Sequence, residues 1–329
     1  MTVKEILERL PKVNEKRNYW LVRTEGGTLY ESFMTGNFIA IGYDKISLEE
    51  ISVVRTNDEA GINILAEKIK SKYEDEKRAK HSARQLKKFT YEIKKNDIVL
   101  IPSQNSEEIT FGQIEETSAF NNFDNKFNCP SIKRKKVRWL KTVSRKSLDP
   151  NLYKLMFSHH TISEANLYDR YIDKILNSFF IKNNQAHIVL DVQTTDDIKA
   201  RSLFAMGDLA LDVFDEFCKE EKLEYNSDNF EVKLAVQSPG FIELVGSQIG
   251  GIIIIGIILV GIAGGGFKFK YKKEVTTGIK TDGIIEKVRK FIQTNSNIKL
   301  KKELLEKHMD SLEIKDPKEL INVLKELDK

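Results

Sequence analysis

Leu244–Phe267, LVGSQIGGIIIIGIILVGIAGGGF, runs 24 positions without a charge, and its reading decides how the rest of the chain is understood. It has the length of about 20 residues that a crossing of the hydrocarbon core requires, yet it follows a long polar stretch with no export signal ahead of it. Read as a helix it is apolar all round, with only Ser247 and Gln248 at its entrance, so it must be covered on every side. Lipid, identical helices in an oligomer, or both in a pore are the expected cover, with Gly251, Ile254, Gly256, Ile258 and Gly261 as membrane or pore positions. Lys268, Lys270, Lys272 and Lys273 flank its C-terminal end and assign that end to the cytoplasm. The head is expected there too, and one full crossing cannot satisfy both. That leaves a re-entrant or shallow insertion, a crossing against the charge rule, or a helix held in a soluble or oligomeric core until triggered. The expected location is the inner membrane with cytoplasmic domains, the alternative being the cytoplasm.

Outside this run the composition is that of a water-soluble chain. With 31% charged residues in 329, there is length for two or three domains with cores, so membrane contact is local. Cys129 and Cys218 lie far apart and make no metal or redox spacing, which excludes a disulfide framework and fits a reducing compartment. Net charge is +6 over residues 1–175, −7 over 176–243 and +5 over 268–329, suggesting a basic head, an acidic middle and a basic tail.

The head, residues 1–150, reads as mixed α and β. YWLVRT (19–24) and FIAIGY (38–43) are short strands separated by glycine turns; strand signals return at 98–102, 109–114 and 137–141. Between them, Ile62, Leu65, Ile69, Leu86 and Phe89 recur at helical spacing. A small barrel-like sheet with two inserted helices is the economical fold. Lys133, Arg134, Lys135, Lys136, Arg138, Lys141, Arg145 and Lys146 surround Trp139 with no acid among them, the mixture of phosphate neutralisation and stacking that single-stranded nucleic acid needs. Trp20, Tyr43 and Phe111 are further candidates for the walls of a base pocket, with Arg23, Asp44 and Ser103 as edge or phosphate contacts. The plainer alternative makes Trp20 and Phe111 barrel core and the charge run a solvated face.

In order along the chain, YWLVRTEGG, GNFIAIGYDKI, YEIKKNDIVLIPS, TFGQI and VRWLKTVSRKSL resemble the N-terminal PUA-like (EVE-like) domain of bacterial restriction-system and related defence proteins. The resemblance covers residues 15–150. It implies a pocket that accepts a nucleotide or a flipped base through aromatic stacking and polar edge contacts.

Residues 151–185 read as a linker helix, with Thr161 and Glu164 at capping-box spacing. His159-His160 is set aside as a metal or catalytic pair, because adjacent histidines point apart and no further ligand lies at the right spacing. In 186–275 a strand (187–192), a helix capped by Thr195 or Asp196 and running to Glu221, strands at 230–237 and 241–245, the apolar run, and an alternating strand through Phe267, Phe269 and Tyr271 give β-α-β-β-α-β, the ferredoxin-like order. Three short helices follow in 276–329. The fold class is α+β. Asp191 with Glu231-Val232-Lys233 echoes a magnesium nuclease but is split by a whole helix, and phosphate-cradling or nucleophile-elbow motifs are missing. No catalytic residue, metal or cofactor is assigned.

The arrangement is similar to channel subunits of anti-phage systems of the Hailong type. The resemblance implies a nucleic-acid-sensing head that gates a homo-oligomeric membrane or ion-channel segment, with an oligonucleotide ligand, a membrane, and a signal-producing or nuclease partner. The competing class is a soluble nucleic-acid-binding adapter of a restriction-type system, and more remotely a metal-dependent nuclease.

Overall fold

The β-branched and aromatic runs of the head become strands, and the lysine-rich stretches between them become helices packed on those strands. The computed structural model describes residues 2–327 except 57, 125, 195, 236–239 and 264–282. In chain order come α1 (Val3–Arg9), β1 (Tyr19–Val22), α2 (Tyr30–Gly36), β2 (Phe38–Ile41), α3 (Leu48–Ile51), α4 (Glu59–Lys72), α5 (Ala79–Lys87), β3 (Ile98–Pro102), β4 (Glu108–Ile114), β5 (Phe120–Asn121) and β6 (Lys133–Ser144). Then follow α6 (Tyr153–Met156), β7 (Ile162–Glu164), α7 (Asp169–Leu176), β8 (Phe179–Lys182), β9 (Gln185–Val192) and α8 (Ala200–Glu220). β10 (Phe230–Ala235), β11 (Gly240–Gly246), α9 (Ile249–Ala263), α10 (Ile284–Thr294), α11 (Lys299–Ser311), β12 (Ile314–Lys315) and α12 (Lys318–Leu327) complete the series. The chain divides into a unit of residues 16–172 and a unit of residues 1–15 with 173–329.

In the first unit a curled, half-barrel sheet runs β2-β6-β4-β3-β1-β7, with β5 also on β6; among the described residues only the β1–β3 pair is parallel. The curl comes from β6. Its first residues pair with β2 and the remainder with β4, and the register on β4 shifts between Phe111 and Gly112. Such an irregularity bends the strand and deepens its twist. Gly112 is needed there, since a Cβ would lie 2.4 Å from a Val137 methyl carbon and 2.6 Å from the Trp139 ring. Ile62, Leu65, Ala66 and Ile69 bury one face of α4, and Ala83 and Leu86 one face of α5, against the core of Trp20, Phe33, Phe38 and Phe89. Trp20 and Phe111 follow the plainer reading: both are buried, Trp20 in this core, where its Nε1 donates to Asp97 Oδ2 at 2.9 Å.

The span expected as one linker helix holds α6, β7, α7 and β8 instead. Thr161 and Glu164 do not form a capping box: Ile162, Ser163 and Glu164 pair with Val22, Leu21 and Trp20 of β1. Sheet hydrogen bonds and burial of Ile162 outweigh a local capping signal of about 1 kcal/mol.

The second unit has a sheet β10-β11-β9-β12 with β8 hairpinned onto β9 through Asn183 and Asn184, both at positive φ as a type I′ turn requires. β9, α8, β10, β11 and α9 appear in the expected order, but α8 begins at Ala200 with Lys199 at its N-cap and no side-chain capping bond, so Asp196 does not cap it. Thr195, the strand expected through Phe267–Tyr271, the lysines of 268–273 and the end of the apolar run lie outside the described residues. The apolar run is not one 24-residue helix. Leu244–Gly246 finish β11, and α9 begins at Ile249 and has 15 described residues, about 22 Å. Every residue from Gly251 to Val260 is buried. The chain itself supplies the cover expected from lipid or identical helices: α1, α8, α10, α11, α12, β9 and β11 all pack on α9. Gly251, Ile254, Gly256 and Ile258, expected at a pore or membrane, sit in this core, with Gly261 half-buried at its edge. No helix among the described residues is long and apolar enough to cross a membrane.

Candidate functional site

A cavity of about 470 Å³ opens in the first unit between the ends of β1 and β2 and the segment before β7. Arg23, Glu25, Gly26, Ile41, Gly42, Tyr43, His159 and Thr161 line it. Arg23 is the first residue beyond β1, and its backbone N–H donates to the Thr161 carbonyl at 2.8 Å, which extends the β1–β7 ladder by one step. Its Nε donates to the Ser158 carbonyl at 2.9 Å and its Nη2 to the Met156 carbonyl, so the guanidinium is fixed by backbone of the segment that carries His159 and Thr161. Burial lowers its pKa, but a guanidinium stays charged in any protein setting. Among the described residues nothing accepts from Nη1.

The turn after β1 is built on left-handed backbone at Glu25 (φ 52°), Gly26 (70°) and Gly27 (103°). At Gly27 a Cβ would lie 2.3 Å from the Gln104 Cα, whereas beside Gly26 and Gly42 there is open space. Across the cavity, β2 runs out through Ile41 and Gly42 into Tyr43, whose φ of 66° is a conformation that bulky residues avoid. Tertiary contacts hold it there. The Tyr43 hydroxyl donates to Glu76 and lies 2.7 Å from Ser82 Oγ, and its ring meets Tyr73 edge-on at 5.3 Å between centroids. Burial first, then the bond to Glu76, push the phenol up to about 12, so it is neutral at physiological pH. The same bond holds Glu76 below the usual carboxylate range.

The two adjacent histidines diverge. His159 lines the cavity, while the His160 ring lies 4.8 Å from that of His81. Burial, then the neighbouring His160 and Arg78, lowers the His81 pKa.

Of the residues expected to bind nucleic acid, the fold gathers only Arg23 and Tyr43 here. Asp44, next in sequence, accepts from the Ile132 N–H at 3.1 Å and stands 3.6 Å from Lys133 Nζ. Ser103 shapes the β3–β4 turn, its hydroxyl accepting from the Glu108 N–H at 2.9 Å. Trp139 is half-buried with its Nε1 on the Phe33 carbonyl at 3.2 Å. The basic run divides sharply. Lys133, Arg134 and Lys135 are 0%, 1% and 0% exposed, so they offer no surface to phosphates. β6 begins earlier than its alternation suggested, and β2 and β5 cover its first residues from both sides. Their charged ends bind backbone carbonyls: Lys133 that of Tyr43 at 2.9 Å, Arg134 those of Ser131, Asp124 and Cys129, and Lys135 those of Ile93, Thr90 and Thr117. Arg134 also stacks over the Phe38 ring at 4.2 Å. Lys136 and Arg138 are exposed but engaged, with Glu116 at 2.9 Å and Gln113 at 2.6 Å.

Sequence reasoning did not find Glu25, Gly26, Ile41, Gly42, His159 or Thr161 as site residues. Gly26 was legible as a turn and Gly42 as part of a strand, but nothing local brings 159–161 to the ends of β1 and β2; pairing of β7 with β1 does that. The nuclease-like set does not converge either. β11 lies between β9 and β10, and the row through Glu231 meets β9 at His187, four residues from Asp191.

Residues 19–166 match the model of a family described as a domain of unknown function (DUF8426). No curated protein and no solved structure matches the chain.

Proposed function

We propose that residues 16–172 bind a single nucleotide, or a base presented by an oligonucleotide, in the cavity around Arg23 and Tyr43, and that the protein is a non-catalytic sensor. The observation that carries this reading is the convergence of a fixed guanidinium, a carboxylate, an imidazole and a tyrosine held against its backbone preference on one cavity of about 470 Å³, within the size range of small-ligand sites. Arg23 Nη1 donates to an acceptor edge or a phosphate. Glu25 accepts from an exocyclic amine, and Gly26 and Gly42 leave room for a planar ring to approach the backbone. In this reading the curled sheet is PUA-like and the second unit's sheet with α8 and α9 is ferredoxin-like. Calorimetric titration with mononucleotides and short oligonucleotides tests it: Arg23→Ala and Tyr43→Ala abolish binding, and Lys136→Ala leaves it unchanged. Binding that survives both cavity substitutions sinks the proposal.

The setting we infer is anti-phage defence, with the ligand controlling the unit built on α9. What supports an effector role is the composition of that helix. A helix in a soluble core needs one apolar stripe, and α9 is aliphatic on all sides inside a sleeve of amphipathic helices. Release of α9 in an oligomer would offer it to lipid. Ligand-dependent dye leakage from anionic vesicles is the expected result; absence of leakage, with all protein recovered without detergent, leaves the nucleic-acid-binding adapter instead.

A further inference from the structure

β10 ends its sheet, and among the described residues no strand pairs with its outer edge. Its side chains are sorted by face. Glu231 and Lys233 lie on one side, 66% and 50% exposed and 4.0 Å apart. On the other side Val232 and Leu234, 49% and 44% exposed, line an apolar groove of about 330 Å³ with Leu203, Leu211 and the 67% exposed Phe204 of α8. A strand edge without a partner among the described residues, beside an exposed apolar groove, invites another strand.

We infer that the occupant is a second copy of this chain, paired antiparallel through β10 about a two-fold axis at Val232. Residues facing each other across an antiparallel pair share a face, so the axis of a symmetric pair must pass through a residue. Centred on Glu231 or on Lys233, the pairing sets like charges against each other. Centred on Val232, it sets Glu231 opposite Lys233 of the second copy and Lys233 opposite its Glu231, two complementary pairs related by symmetry. The same register puts Phe230 opposite Leu234 of the second copy and Val232 against its own equivalent, so the two apolar grooves join along one face. A self-complementary patch is what an isologous two-fold interface requires. This assembly is independent of nucleotide binding, and Arg23→Ala leaves it intact.

Sedimentation equilibrium of the full chain tests it by charge exchange. The unaltered chain is expected to dimerise, and Glu231→Lys and Lys233→Glu each to weaken self-association roughly tenfold or more. A mixture of the two variants is expected to form a heterodimer, because each then faces only opposite charges, and the double variant E231K/K233E to regain dimerisation. Both positions are exposed, so thermal melts of the variants should match that of the unaltered chain. A chain that stays monomeric, single variants that associate unchanged, or a mixture that fails to restore pairing overturns the inference.

Discussion

Lys135 Nζ donates to the Ile93 carbonyl at 2.8 Å from a position with no solvent exposure, and the Thr90 and Thr117 carbonyls accept from it too. A cation that by composition belongs to a phosphate-binding run is thus a tie between loops at the end of the half-barrel. Burial pushes its pKa down to about 8 from the ordinary 10.5. Between those values the folded chain binds fewer protons than the unfolded one, so stability rises with pH across that window. The expected gain is at most about 3 kcal/mol, read as the unfolding free energy in urea at stepped pH. Lys135→Met should flatten that rise and leave oligonucleotide binding unchanged.

Tyr43→Phe separates the roles of ring and hydroxyl. Losing the hydroxyl removes the bonds to Glu76 and Ser82 and should cost roughly 1 kcal/mol in chemical denaturation. The cavity keeps its wall, so ligand affinity should stay near that of the unaltered chain while Tyr43→Ala loses it.

Two helical glycines should respond with opposite signs. A Cβ on Gly256 of α9 would lie 2.7 Å from Leu320 Cδ2 and 3.0 Å from Ile188 Cδ1, both in the buried core. Gly256→Val is therefore expected to cost about 3 kcal/mol by overpacking. A methyl group added at Gly207 of α8 would meet nothing within 4 Å, so Gly207→Ala should stabilise by roughly 0.5–1 kcal/mol. Thermal melts of the two variants should shift in opposite directions.

On the other face of the second unit's sheet, Glu243 is 2% exposed, paired with Lys174 and 2.7 Å from His187 Nδ1. Burial pushes its carboxyl up, but the bonds from His187 and Lys174 outweigh burial and leave it below the ordinary 4.5. A carboxylate lowered on folding contributes stability above its unfolded pKa and loses it as pH falls through the folded one. Glu243→Ala should cost about 3–5 kcal/mol at neutral pH, since it leaves Lys174 buried without its partner. The difference from the unaltered chain should shrink on acidification below the carboxylate range, as followed by urea midpoints.

Strands β1 to β4 were legible as short β-branched and aromatic runs bounded by turn residues, and helices α4 and α5 by apolar residues three to four apart. The start of β6 was not. Lysine and arginine at 133–135 read as solvent-facing because the carbonyls that satisfy them come from Tyr43, Ile93 and Asp124, outside the run itself. The site was half legible for the same reason. Arg23 and Tyr43 stand beside recognisable strands, whereas His159 and Thr161 reach the cavity only through the β1–β7 pairing.

By itself the sequence determined that the apolar run 244–267 holds a helix needing cover on every side, because its aliphatic side chains leave no face that water can solvate; the bounds of that helix, from Ile249, came from the fold. It could not determine what the cover is. Lipid, a second copy and the chain's own helices satisfy an apolar surface equally well, since burial of apolar area has no direction. Tertiary structure decided that, bringing α1 from the N-terminus and α12 from the C-terminus onto one helix, and it alone decided which cations face solvent and which hold loops together.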